Sequence, residues 1–330
     1  MSKSTGLNDV VNLRMQQSRV SMEHGFSAVT KVHEIFFRIK CRLRDNYLNT
    51  KKRIKLITKQ VDKTKSHMFD HIYGRAFWSL FKVGDGSWTK SEQEIGQEIA
   101  KYYRQLFTAS IAATREDSIH EILEGIPTTI TEQMNKILIK SVDEKEIKTA
   151  VFSMNPNKAP GSDGMTPLFF QTYWDIIRKD IVEAVQVFFH SSHMLKSINH
   201  TLISLIPKIP TPTSLMHFRP ISLCFVLYKI ISKILVNRLK PVLDKCISKN
   251  QCAVGDGRQI LDNVILAHEF FHQLKNKRNG QMGCMAVKLN MSKAYDRVEW
   301  DYLKSMMEKM GFCDTWIKWI MNCITTVSYS

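Results

Sequence analysis

A chain of 330 residues is long enough for one large domain or two ordinary ones. At 44% hydrophobic it can bury a core, which excludes wholesale disorder, and its formal charge of +16 favours a polyanionic partner. The excess is concentrated: residues 1–70 hold 15 Lys/Arg against 6 Asp/Glu, and residues 200–260 hold 9 against 2. Two such regions most simply suit nucleic acid; the alternative is a solvated basic surface that contacts nothing. The seven cysteines are scattered with no C-x-x-C pair, so reduced thiols in an intracellular protein are expected, with no zinc site. The first residues are polar, which argues against a signal peptide, and the apolar runs fall well short of the ~18 residues that a membrane span needs.

Residues 1–70 read as basic helix with poor amphipathic order. Val83-Gly-Asp-Gly-Ser-Trp88 is a turn, with two glycines around an aspartate. A helix is predicted from about Ser91 to Phe107, with Ile95, Ile99, Tyr102, Tyr103 and Leu106 on a core-facing side. Ser141-Val-Asp-Glu144 is a capping-box pattern, opening a helix that runs to about Met154 and is stopped by Pro156. In Asn157-Lys-Ala-Pro-Gly-Ser-Asp-Gly164 a proline and two glycines rule out regular structure and present Lys158 and Asp163 on a tight loop. Phe169 to Phe189 reads as one aromatic core helix.

Leu202–Lys208 and Phe218–Leu223 are strand-like and flank a Pro-rich turn, making a hairpin with a basic residue on each arm, Lys208 and Arg219. A long helix starts near Leu227, carries Lys229, Lys233, Arg238 and Lys240 on its polar side, and is interrupted by Pro241. Gln251 to Arg258 is a glycine-containing loop, followed by a helix from Ile260 to about Leu274. Met285, Val287 and Leu289 alternate with Ala286 and Lys288, which predicts a strand. From Lys293 the apolar positions Val298, Leu303, Met306, Met307 and Met310 recur at helical spacing, with Gly311 as the stop. Asn290 sits where the buried strand turns into that helix, a place from which a polar side chain faces a cleft.

The run Lys288-Leu-Asn-Met-Ser-Lys-Ala-Tyr-Asp-Arg-Val-Glu-Trp300 resembles the first palm motif of reverse transcriptases of the plant non-LTR (LINE-type) retrotransposon branch. The Lys158-Ala-Pro-Gly-Ser-Asp-Gly164 loop and Phe218-Arg-Pro-Ile-Ser-Leu223 are similar to motifs of the same family, in the same order. Looser likenesses to its pre-polymerase region lie in Phe36–Tyr47, Asp85–Trp88 and Tyr102–Phe107. The resemblance implies an α+β fold: right-hand polymerase fingers plus the first strand and helix of a palm, with a helical N-terminal extension. It divides the chain into a basic helical linker (1–80), a helical pre-polymerase region (81–140), and fingers with the start of a palm (141–330).

The resemblance also implies an RNA-directed DNA polymerase whose partners are RNA and DNA and not a membrane. In such enzymes two Mg²⁺ ions held by carboxylates activate the attacking oxygen and steady the leaving pyrophosphate. Asn290 stands where the family has a metal-binding aspartate, and the backbone carbonyl of Met291 would be a further metal ligand. Arg219 would fork onto the incoming triphosphate with Lys208 opposite it, and Tyr295 would lie against the nucleotide sugar. Gln251, Arg258 and Lys158 would contact template, although Val254-Gly-Asp256 departs from the family's Phe-Val-Pro. A neutral amide binds a hard divalent ion far less well than a carboxylate. No Asp-Asp dipeptide occurs in the sequence. The expectation is a truncated reverse transcriptase that binds Mg²⁺ unproductively and does not polymerise; the alternative is a non-catalytic RNA- or DNA-binding protein that uses its basic regions. An unpaired strand edge at the half-palm predicts poor solubility.

Overall fold

The computed structural model describes residues 92–108, 115–210, 212–248, 250–251, 257–276, 285–289 and 293–330. The basic segment 1–70, the Val83–Trp88 turn, Asn290 and Met291 lie outside them. The described residues are mixed helix and sheet, in two compact units that interleave in sequence. One holds 92–104, 141–234 and 318–330; the other holds 105–140 and 235–317.

In the first unit, α1 (Glu92–Phe107) buries Ile95 and Tyr103, as the spacing predicts. The numbering continues through the second unit with α2 (Arg115–Glu124) and α3 (Glu132–Leu138). Next in the first unit comes α4 (Glu144–Phe152). Its cap is Asp143, whose carboxylate accepts from Glu146 N at 2.7 Å, so the capping residue lies two positions beyond the expected Ser141. The single helix expected over 169–189 is two: α5 (Pro167–Thr172) and α6 (Trp174–Ser191). Thr166 caps α5 with Pro167 in its first turn, where a missing N–H costs nothing. Tyr173, at ψ 17°, leaves the helical region and breaks the run, while Phe170, Trp174, Phe188 and Phe189 are buried as expected.

The hairpin forms. Strand β1 (His200–Pro207) pairs antiparallel with β2 (Phe218–Leu223), with Ile206 opposite Arg219 and Pro207 opposite Phe218. On the other edge β1 pairs parallel with β3 (Ser328–Tyr329), giving the order β2-β1-β3. The strand expected at Met285–Leu289 is absent from this sheet. Those residues pair with nothing described, and Met285, Val287 and Leu289 are 85%, 67% and 86% exposed. Alternation alone did not make a strand, because a strand needs a partner ladder to satisfy its backbone.

Helix α7 (Val226–Cys246) runs straight through Pro241, against expectation. The lost bond to the carbonyl four residues back is outweighed by burial on both sides of the proline, at Leu235 and Val242. Arg238 is also buried and does not join a polar face. It donates to Leu138 O at 2.9 Å, and a cation at the negative C-terminal end of α3 is well placed.

In the second unit, α8 (Ile260–Asn276) forms as expected but has no buried residue, and Leu261, Ile265, Phe270 and Phe271 are exposed. The helix expected from Lys293 starts only at Trp300, as α9 (Trp300–Met310). Tyr295–Arg297 is a single 3-10 turn, so Asp296 lies outside the helix; Val298 and Glu299 are extended and delay its start. Gly311, at φ 90°, ends α9 as predicted. The last helix, α10 (Asp314–Thr325), buries Trp316 and Ile317. In this unit Asn135 ties α3 to the end of α9: its amide donates to Gly311 O at 2.7 Å and accepts from Cys313 N at 2.9 Å. Among the described residues no helix is long and apolar enough to cross a membrane.

Candidate nucleic-acid interface

In the first unit the two expected phosphate ligands lie on one hairpin. Lys208 N donates to His217 O at 2.7 Å, which makes His217 its cross-strand partner. Residues directly opposite one another share a face, and positions two apart on a strand share it too. Lys208, His217 and Arg219 therefore occupy the same face of β1–β2, with Lys208 diagonal to Arg219 rather than facing it. The other face holds buried Leu205 and Phe218, which set the register. Arg219 is exposed, and its guanidinium has no hydrogen bond or ion pair among the described residues. The Lys208 ammonium folds back to donate to Met216 O at 2.9 Å. The hairpin thus carries one open guanidinium, with an ammonium held beside it at the turn.

The loop from Asn157 to Gly164 docks against the junction of β2 and α7. Gly161 is buried there: a Cβ on it would lie 2.7 Å from Phe225 N and 2.9 Å from the Cys224 carbonyl carbon. Gly164 takes φ 72° and donates to Gly161 O at 3.1 Å, while the Asp163 carboxylate accepts from Met165 N at 3.1 Å. Lys229 on α7 donates to Ala159 O at 2.7 Å. Burial holds its ammonium below the ordinary lysine range. Cys224 and Asp163 offset that in part, and Lys158 adds to it. Lys158 itself stays exposed on the loop. Lys229 is therefore a docking residue and not part of a solvated stripe. The available signal was its spacing of three from Val226, which puts it on the edge of the buried face.

Behind β1, Asn199 donates to Cys323 O at 2.8 Å and Thr326 Oγ1 at 3.0 Å. Burial pushes the Cys323 thiol up to about 12. It also raises the Tyr228 phenol, with Cys323, Cys224 and Tyr329 adding to that shift. An acid kept neutral by folding stabilises the fold fully below its unfolded value, and that stability is lost as pH rises toward the folded value. From an ordinary 9.0 to about 12, Cys323 alone accounts for a loss of roughly 4 kcal/mol. Lys229, shifted downward, works in the opposite direction. Cys323→Ala is accordingly expected to lose less stability than the unaltered chain between pH 8.5 and 11, as read by urea midpoints; parallel losses would overturn this.

In the second unit Arg258 is turned inward. Its guanidinium donates to Ser248 O at 2.8 Å, Gln251 O at 2.7 Å and Asp244 Oδ1 at 3.1 Å. It holds the loop after α7, with Gln251 as one of its anchors. Tyr295 is 90% exposed, which excludes a core role for it.

The Mg²⁺ pair that such a site implies finds no fitting carboxylate set among the described residues. The motif supplies a neutral amide at Asn290, and among the described residues no group of three or more His, Cys, Asp or Glu could hold a metal.

Residues 206–330 match the family model of reverse transcriptase (RNA-dependent DNA polymerase). The chain is 28% identical over 252 residues to the transposon TX1 uncharacterized 149 kDa protein of Xenopus laevis, covering 74% of this chain and 19% of that one. It is 27% identical over 235 residues to the probable RNA-directed DNA polymerase from transposon BS of Drosophila melanogaster, covering 68% of this chain and 24% of that one. The chain therefore spans about a fifth to a quarter of the length of the curated relatives it matches. The stretch that matches this family model opens at the end of β1 and takes in β2 and all that follows it.

Proposed function

We propose that this chain is a LINE-type retrotransposon reverse transcriptase, of the branch found in plants, that keeps backbone-phosphate contacts but not polymerisation. The observation that carries the reading is the open Arg219 guanidinium on a hairpin whose other face is fixed by Leu205 and Phe218. A planar fork in that setting suits bidentate phosphate recognition, and Lys208 adds charge on the same face. Lys158, carried on the docked loop of the same unit, is the proposed template contact there. In the other unit Tyr295 is the proposed sugar-facing aromatic, and Arg258 acts by positioning the loop that carries Gln251. Descent from a polymerase supplies fingers and the start of a palm as the architecture for these roles.

A second reading, a non-catalytic RNA- or DNA-binding protein, is favoured by the independence of the Arg219 face from Asn290. Binding and synthesis are therefore measured separately. Fluorescence anisotropy with an RNA–DNA hybrid should show affinity falling steeply with salt. Arg219→Ala is expected to weaken binding across all sequences and to reduce the salt slope by about 1. An undetectable or salt-independent affinity would remove both readings.

A further inference from the structure

Helix α8 carries the run His268-Glu269-Phe270-Phe271-His272. Residues four apart on a helix lie one above the other, with Cβ atoms about 5–6 Å apart. On a helix this pattern places two imidazoles on one face, where both can reach one metal ion at about 2.0–2.1 Å. Both histidines are exposed, so the rings are open to a solvated ion.

We propose that His268 and His272 form a two-histidine chelate for a transition-metal ion that prefers imidazole, namely Ni²⁺, Cu²⁺ or Zn²⁺. The helix ends at Asn276, so the pair occupies its C-terminal half, where the macrodipole favours a cation. Asn276 Nδ2 lies 3.0 Å from His272 Nε2 and 3.3 Å from Nδ1, and holds that ring against the next turn. A bound metal replaces this contact at one ring nitrogen. Glu269 is rotated about 100° from His268 around the helix and is no ligand from this face. No third protein donor joins the pair among the described residues. Water fills the remaining positions, and the site binds metal rather than hydrolysing peptides.

The test is calorimetric titration of the full untagged chain with NiCl₂ and with CuCl₂. One ion per chain is expected, with affinity lowered about 100-fold by His268→Ala and likewise by His272→Ala, because each removes one arm of the chelate. His193→Ala, an exposed histidine elsewhere in the fold, should leave the affinity unchanged. Both α8 substitutions are on an exposed helix, and an unchanged far-ultraviolet circular dichroism spectrum verifies the fold. Equal metal affinity in the His268→Ala/His272→Ala double variant, or no binding by the unaltered chain, overturns the proposal.

Discussion

Incubated with an RNA template, a DNA primer, deoxynucleotides and either Mg²⁺ or Mn²⁺, this chain is expected to extend no primer. The reason is charge. Nucleotidyl transfer needs two divalent ions caged by carboxylates, and Asn290 offers a neutral oxygen where the resemblance expects a metal-binding aspartate. Losing about 4 kcal/mol of metal-mediated stabilisation slows the reaction roughly a thousandfold. Asn290→Asp alone should not restore synthesis either, because the sequence contains no Asp-Asp pair to supply the remaining negative charge. Robust metal-dependent extension by the unaltered chain would refute this, and rescue by the single substitution would refute the second part.

Gly161→Ala should be the most damaging conservative change in the first unit. The added methyl meets backbone at 2.7 and 2.9 Å, on the peptide joining Cys224 to Phe225, and backbone at a strand-to-helix junction cannot step aside. The loop must lift instead. That removes Ala159 O from the Lys229 ammonium and leaves a half-buried cation without its acceptor. A destabilisation of about 3 kcal/mol is expected, from the clash together with the unsatisfied charge. Gly164→Ala, where φ is 72°, meets the left-handed backbone penalty and should cost about 1 kcal/mol. Urea midpoints of the two variants measure the contrast. Equal effects would mean that the loop does not dock through Gly161.

These two glycines mark the boundary of what could be read in advance. Their presence in a Pro- and Gly-containing motif made the loop legible. That Gly161 answers to close approach depends on Cys224 and Phe225, more than 60 positions away. The hairpin was legible for a local reason: two apolar, β-branched runs flank a Pro-rich turn. Its register put Lys208 diagonal to Arg219 rather than opposite, and that register was set by burial of Leu205 and Phe218. Arg238 could have been anticipated as buried, since it falls four residues after Ile234 on the apolar stripe of α7. Its charge concealed it, because the carbonyl that satisfies it belongs to Leu138, 100 residues earlier.

What the sequence determined by itself was the set of local choices: which segments are amphipathic, that a helix opens just after Ser141–Glu144, and where Gly311 stops one. It also determined the charge at position 290, since an asparagine amide is neutral in any fold. Tertiary structure decided the rest. It carried α7 through Pro241, withheld a ladder from Met285–Leu289, gave β1 the partner β3, and turned Lys229 and Arg258 from solvent toward backbone carbonyls. In each case the deciding energy was burial or backbone hydrogen bonding between distant segments, which exceeds local propensity and has no signature within the segment itself.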